Sequence, residues 1–83
     1  MNELQLNAEQ THVQLELSTK HPCKIEVFLH AIGKYRSMCI ASVLLKKGKR
    51  KLCLRAEQFE KGVYIYTINN NNEQAAFGRL IVS

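Results

Sequence analysis

The sequence contains no aspartate, a single proline, four glycines and three cysteines, and no apolar run approaching the ~20 residues that span a bilayer. Each scarcity excludes something. Without a long apolar run, no transmembrane helix is expected. Without aspartate, and with the glutamates dispersed, no paired carboxylates offer acid–base chemistry. Isolated glycines build no phosphate-cradling loop. Three cysteines allow at most one intramolecular disulfide and leave one thiol over. A disulfide-built scaffold carries more cysteines and fewer core aliphatics. Cys23, Cys39 and Cys53 therefore read as small, mostly buried hydrophobes. Cys53 is the exception, because it points away from Leu52 and Leu54 and is open to exposure. Residues 1–20 have neither a basic n-region nor an apolar h-region, so they do not read as a signal peptide. The expectation is either a cytoplasmic protein or a piece of a longer secreted or cell-surface precursor with an added start Met.

Metal and thiol chemistry are also poorly served. Structural zinc sites want close pairs such as Cys-x-x-Cys. The nearest pair here is His21-x-Cys23, and His12, His21 and His30 read as scattered surface residues. Cys39 and His30 are able to meet across strands, but a thiol nucleophile also needs a group to orient its base, and none is nominated. No cofactor, no metal and no enzymatic activity are expected.

What is present is a chain of 83 residues, enough for one domain, with an apolar fraction of 46% and a net charge of +5. A chain this short buries only somewhat more than about 60% of its unfolded surface, so modest stability is expected. The positive charge favours anionic partners weakly and without specificity. Its densest part is Lys46, Lys47, Lys49, Arg50 and Lys51 around Gly48. These residues would bind phosphates through counterion release. A solvated hairpin tip is the better reading, because no ordered exposed aromatics accompany the run to stack bases.

The chain is organised around Gly62-Val63-Tyr64-Ile65-Tyr66-Thr67-Ile68. Six of these seven residues are β-branched or aromatic. Both faces are apolar, which predicts a central strand with both faces at least partly buried. A Tyr near the start of such a strand often bonds back to the preceding corner in Greek-key sandwiches. Before it lie a short strand over Leu52–Arg55 and a compact turn over Ala56–Lys61, anchored by Phe59. Further upstream, alternation predicts strands over residues 2–7, with Leu4 and Leu6 inward, and 12–18, with Val13, Leu15 and Leu17 inward. A strand over 24–30 puts Ile25, Val27 and Leu29 on one face. Gly33 then supplies a turn conformation that other residues resist. The stretch 35–45 reads as a strand with the least regular alternation. Asn69–Asn72 reads as a hairpin loop, because Asn tolerates left-handed backbone. The last strand covers 75–82, with Ala76, Gly78, Leu80 and Val82 on one face. The expected fold is all-β: a seven-stranded antiparallel Greek-key sandwich of immunoglobulin-like type, in one domain over 1–83.

The order Ile25-Glu26-Val27-Phe28, Gly33-Lys34, a Lys-Gly-Lys turn, Leu52-x-Leu54, Phe59-x-x-Gly62-Val63-Tyr64-Ile65-Tyr66 and Arg79-Leu80-Ile81-Val82 resembles the C-terminal sorting domain of type IX secretion cargo proteins of Bacteroidetes. The resemblance covers about the last sixty residues. It implies a Greek-key sandwich that serves as a signal, recognised by the outer-membrane export machinery and removed or attached at the cell surface. Three segments carry over as recognition candidates: Gly33 and Lys34; Gly62, Val63 and Tyr64; and Arg79, Leu80, Ile81, Val82 and Ser83. The implied partner is a protein of that machinery, met through a terminal edge strand. The alternatives are a generic immunoglobulin-like interaction module and, less favoured, a basic domain that binds nucleic acid or an anionic surface through residues 46–51.

Overall fold

The computed structural model describes residues 2–83, the side chain of Asn2 excepted. Period-two alternation has done what it predicts. The strands are β1 (Asn2–Leu6), β2 (His12–Thr19), β3 (Cys23–Ala31), β4 (Ser37–Leu45), β5 (Gly48–Arg55), β6 (Gly62–Asn70) and β7 (Glu73–Val82). A single turn of 3₁₀ helix, Ala56–Gln58, lies between β5 and β6. The strands form two sheets. One has five strands in the order β1-β7-β6-β3-β4; the other is a ribbon of β2 and β5. The ribbon covers one face of the large sheet.

The core is the shared face of both layers. Ile25, Val27 and Leu29 of β3, Tyr64, Tyr66 and Ile68 of β6, and Leu80 and Val82 of β7 point toward the ribbon. Leu15, Leu17 and Leu54 return from the ribbon, and Leu6 closes the β1 side. Every one of these positions follows the alternation visible in the sequence. Burying a Leu or Ile side chain contributes about 1.5–3 kcal/mol, so this apolar layer is what holds the two sheets together.

The corner before β6 is fixed by a tyrosine. The Tyr64 hydroxyl donates to the Glu60 carbonyl at 2.5 Å, and the Phe59 and Tyr64 rings pack at 6.1 Å between centroids. The Ala56 amide donates to the Thr11 carbonyl at 2.8 Å, which ties the same corner to the turn before β2.

Four expectations are corrected. The large sheet is mixed, because β1 runs parallel to β7, Leu4 opposite Leu80 and Leu6 opposite Val82. β5 begins at Gly48 rather than Leu52, so the ladder with β2 extends through the basic run. The asparagine loop is tighter than four residues: only Asn71 and Asn72 form the turn, both with positive φ (49° and 69°), the backbone of a two-residue hairpin that matches strand twist. Of the cysteines, Cys23 is buried, but Cys39 is exposed as well as Cys53. A bulge between Val27 and Phe28 in the pairing with β4 puts Cys39 opposite Phe28, on the outer face of the sheet.

Two substitutions separate the core from the corner. Leu80→Ala removes a fully buried side chain and should cost about 2–5 kcal/mol. Tyr64→Phe keeps the ring but strands the Glu60 carbonyl, and should cost about 1–2 kcal/mol. Urea unfolding followed by circular dichroism measures both, and equal losses would contradict this division of roles.

Candidate recognition surface

Three segments singled out in the sequence are far apart along the chain. The register brings them to one end of the large sheet. Gly62 lies opposite Val82, Val63 opposite Ile81, and Tyr64 opposite both Leu80 and, on its other side, Ala31. The Ile32 amide donates to the Val63 carbonyl at 3.0 Å, which carries the β3 pairing into the turn that holds Gly33 and Lys34. Gly33 adopts φ of +87°, and no atom stands within 4 Å of where a Cβ would project. Its requirement is therefore conformational and not steric. Lys34 Nζ reaches Glu60 Oε2 at 3.6 Å across exposed surface.

The members of this cluster are not equally available. Leu80 and Val82 are core residues, and Tyr64 spends its hydroxyl on the corner. Gly33, Lys34, Gly62, Arg79 and Ser83 are exposed, Val63 is 38% exposed, and Ile81 is half-buried. The terminal strand is also not an edge. β7 lies between β1 and β6, and the Ser83 amide donates to the Leu6 carbonyl at 2.9 Å. Strand addition to β7, expected from the sequence, is blocked by β1.

Val63, Arg79 and Ile81 lie on the outer face of the large sheet, which the ribbon leaves uncovered. One row across it runs Phe28, Thr67, Phe77; the next His30, Ile65, Arg79, Glu3; the next Val63, Ile81, Gln5. Phe77 is 45% exposed, and Phe28 and Ile65 are half-buried. Sequence reasoning passed over Phe28, Ile65 and Phe77 as recognition residues. The signal was there in the apolar character of both faces of β6, read as at least partial burial of each. One face is buried under the ribbon; the other is partly open, an apolar band with Arg79 within it.

Arg79 is held in place. Its Nε donates to Glu3 Oε2 at 3.0 Å, its guanidinium reaches the same oxygen through a second nitrogen, and Gln5 Nε2 donates to Glu3 Oε1 at 2.9 Å. These bonds, from Arg79 first and Gln5 second, hold the Glu3 carboxyl below its ordinary value of 4.5.

The basic run makes no single loop. Lys46 and Lys47 precede β5, whereas Lys49, Arg50 and Lys51 lie in it and alternate between its faces. Lys49 Nζ is 3.7 Å from Glu16 Oε1. A phosphate would meet a divided set of cations. Among the described residues no group of three or more His, Cys, Asp or Glu side chains is placed to hold a metal ion. His30 faces Ser37, with Nδ1 3.3 Å from Oγ, while Cys39 opposes Phe28, so His30 and Cys39 are diagonal neighbours rather than directly paired. No helix of the described residues is long and apolar enough to cross a membrane. Comparisons with protein-family models, curated proteins and solved structures return no match.

The Glu3–Arg79 pair predicts a pH effect of definite sign. A carboxyl whose folded value is depressed contributes stability that is full above its unfolded value, near 4.5, and is lost as pH falls through the folded value. Arg79→Met should therefore flatten the fall of stability below pH 4.5 and leave its pH dependence above neutrality unchanged. Thermal melts between pH 3 and 8, an interval that spans the range where carboxylates titrate, compare the two proteins; identical acid limbs would count against the pair.

Proposed function

We propose that the domain is a non-catalytic recognition module, a sorting signal of the type IX kind. It is read by a protein of the outer-membrane export machinery while attached to a secreted cargo. The observation that carries this reading is the convergence of Gly33-Lys34, Gly62-Val63-Tyr64 and Arg79–Ser83 at one end of the large sheet. These are the segments on which the sequence resemblance rests, and a surface that gathers them offers one receptor one footprint. Cell-surface or secreted localisation belongs to the same proposal.

The finer reading of the fold, an immunoglobulin-like Greek key, is supported by two features. The chain passes between the sheets at β1–β2, β2–β3, β4–β5 and β5–β6, so sequence neighbours are separated between layers. The Tyr64 corner stands at the start of β6, where such sandwiches place it.

In this reading the exposed members of the cluster meet the receptor and the buried members hold them in register. Val63 and Ile81 supply an apolar contact, flanked by Lys34 and the fixed guanidinium of Arg79. The largely apolar sheet face, whose Arg79 is paired with Glu3, and the split basic run favour a protein partner over nucleic acid, which would want a continuous cationic track.

The test is a transplant. Residues 1–83 are fused behind a signal peptide and a fluorescent reporter in a Bacteroidetes host with or without type IX machinery. Deleting Arg79–Ser83 would remove Leu80 and Val82 from the core and so report folding. The informative variants are Val63→Lys and Ile81→Lys, with circular dichroism of the purified domain as the folding control. Export that needs the machinery and is lost in folded variants is expected. Retention of the intact, folded fusion in the periplasm overturns the reading.

A further inference from the structure

The four outermost strands of the two sheets are treated differently. β1 is short, and its Glu3 is committed to Arg79. β2 carries His12 and Glu16, and β5 carries Lys49, Arg50, Lys51 and Arg55. Short length and charge are the usual means of keeping an edge from pairing with a foreign chain. β4 has neither. Its nine residues, Ser37-Met38-Cys39-Ile40-Ala41-Ser42-Val43-Leu44-Leu45, include no charge, no proline and no glycine. It pairs with β3 and ends the sheet order, since β5, next in the chain, has crossed to the ribbon. The bulge near Ile40 bends the edge, but Ala41–Leu45 keep unbroken register with β3 from Val27 back to Cys23.

The flank beside β4 is open as well. Between β4 and β5 lies a cleft of about 280 Å³ whose apolar lining includes Met38, Ile40, Leu52, Leu54 and Phe59. Met38 is 48% exposed although its partner across the ladder, Leu29, is fully buried. A strand laid along β4 would turn alternate side chains into this cleft and the others toward the outer face. It would satisfy the edge and close the seam between the two sheets.

Charge selects the occupant. Lys34 and Arg36 precede β4, and Lys46 and Lys47 follow it; all are exposed. Lys34 has Glu60 nearby. A second copy is a poor fit. Antiparallel pairing of β4 with itself would set Arg36 of one copy against Lys46 and Lys47 of the other at both ends, and parallel pairing would set each cation against its own kind. Like charges so placed are destabilising. We propose that the free edge of β4 takes up one extended strand of another protein, apolar at alternate positions and acidic at both ends. Main-chain hydrogen bonds supply affinity, the cleft selects the alternate side chains, and the flanking cations fix register and exclude basic segments. This site is distinct from the end of the sheet assigned to sorting, and the proposal does not depend on that assignment.

The probe is a synthetic peptide of alternating Val and Thr with Glu-Glu at each end, compared with the same strand flanked by Lys-Lys. Both are titrated into the isotope-labelled chain and followed by amide shifts and hydrogen exchange. The Glu-flanked peptide should protect amides of Ser37–Leu45 and shift Met38, Ile40 and Leu52, binding about tenfold or more tighter than the Lys-flanked one. The double variant R36E/K47E, which leaves one cation and one anion at each end, should abolish that preference, and Ser42→Lys, at an exposed position of the edge, should weaken both. Binding that ignores flank charge, shifts confined to Gly62–Tyr64 and β7, or no binding at about 1 mM peptide would overturn the proposal. So would self-association of the free chain through β4, seen by sedimentation.

Discussion

The hydrogen bond from the Tyr64 hydroxyl to the Glu60 carbonyl sits where the chain leaves the ribbon and enters the large sheet. It fixes the start of β6, and β6 in turn sets the register of β3 on one side and β7 on the other. A slip of one residue in β6 would turn Tyr64, Tyr66 and Ile68 outward and bring Val63, Ile65 and Thr67 in, because the side-chain period is two. The corner prevents that slip locally. Phe59 against the Tyr64 ring, and Ala56 bonded to Thr11, tie the same point to the turn before β2.

A second consequence follows from the unequal layers. Two strands lie over five, so much of the large sheet has one covered face and one open face. The open face holds Phe28, Ile65, Phe77, Val63 and Ile81 around the Glu3–Arg79 pair. The same inequality leaves the seam beside β4 unclosed, with Met38 above it. Both surfaces are made of residues whose strands are well paired in other directions. Their exposure comes from the missing width of the ribbon and not from weak local structure. Apolar surface rimmed by charge is the physical feature on which both proposals of protein contact rest.

Most of the secondary structure was legible in the residues, since alternation is local and each strand could be read by itself. Val13, Leu15 and Leu17, then Ile25, Val27 and Leu29, were identified as inward-facing, and they are. The tyrosine corner was legible for the same reason: its partner is four residues away. Gly33 and the asparagine turn carried their backbone conformations in their residue types. The beginning of β5 was missed, because a run of Lys and Arg around a glycine looks like a turn when nothing in the run reveals the ladder to His12–Thr19.

The residues by themselves determined an all-β chain, the inward face of its main strands and most of the places where it turns. Tertiary structure decided which strands became neighbours. Only pairing across the chain could set β1 parallel to β7, bury the terminal strand between two others and bring Arg79 to Glu3, 76 residues away. It also left β4, rather than β7, as the open edge, by sending β5 to the other sheet. The physical reason is one of range. Side-chain alternation is fixed by the backbone within a few residues, whereas the partner of a strand is chosen by burial and hydrogen bonding summed over the whole fold.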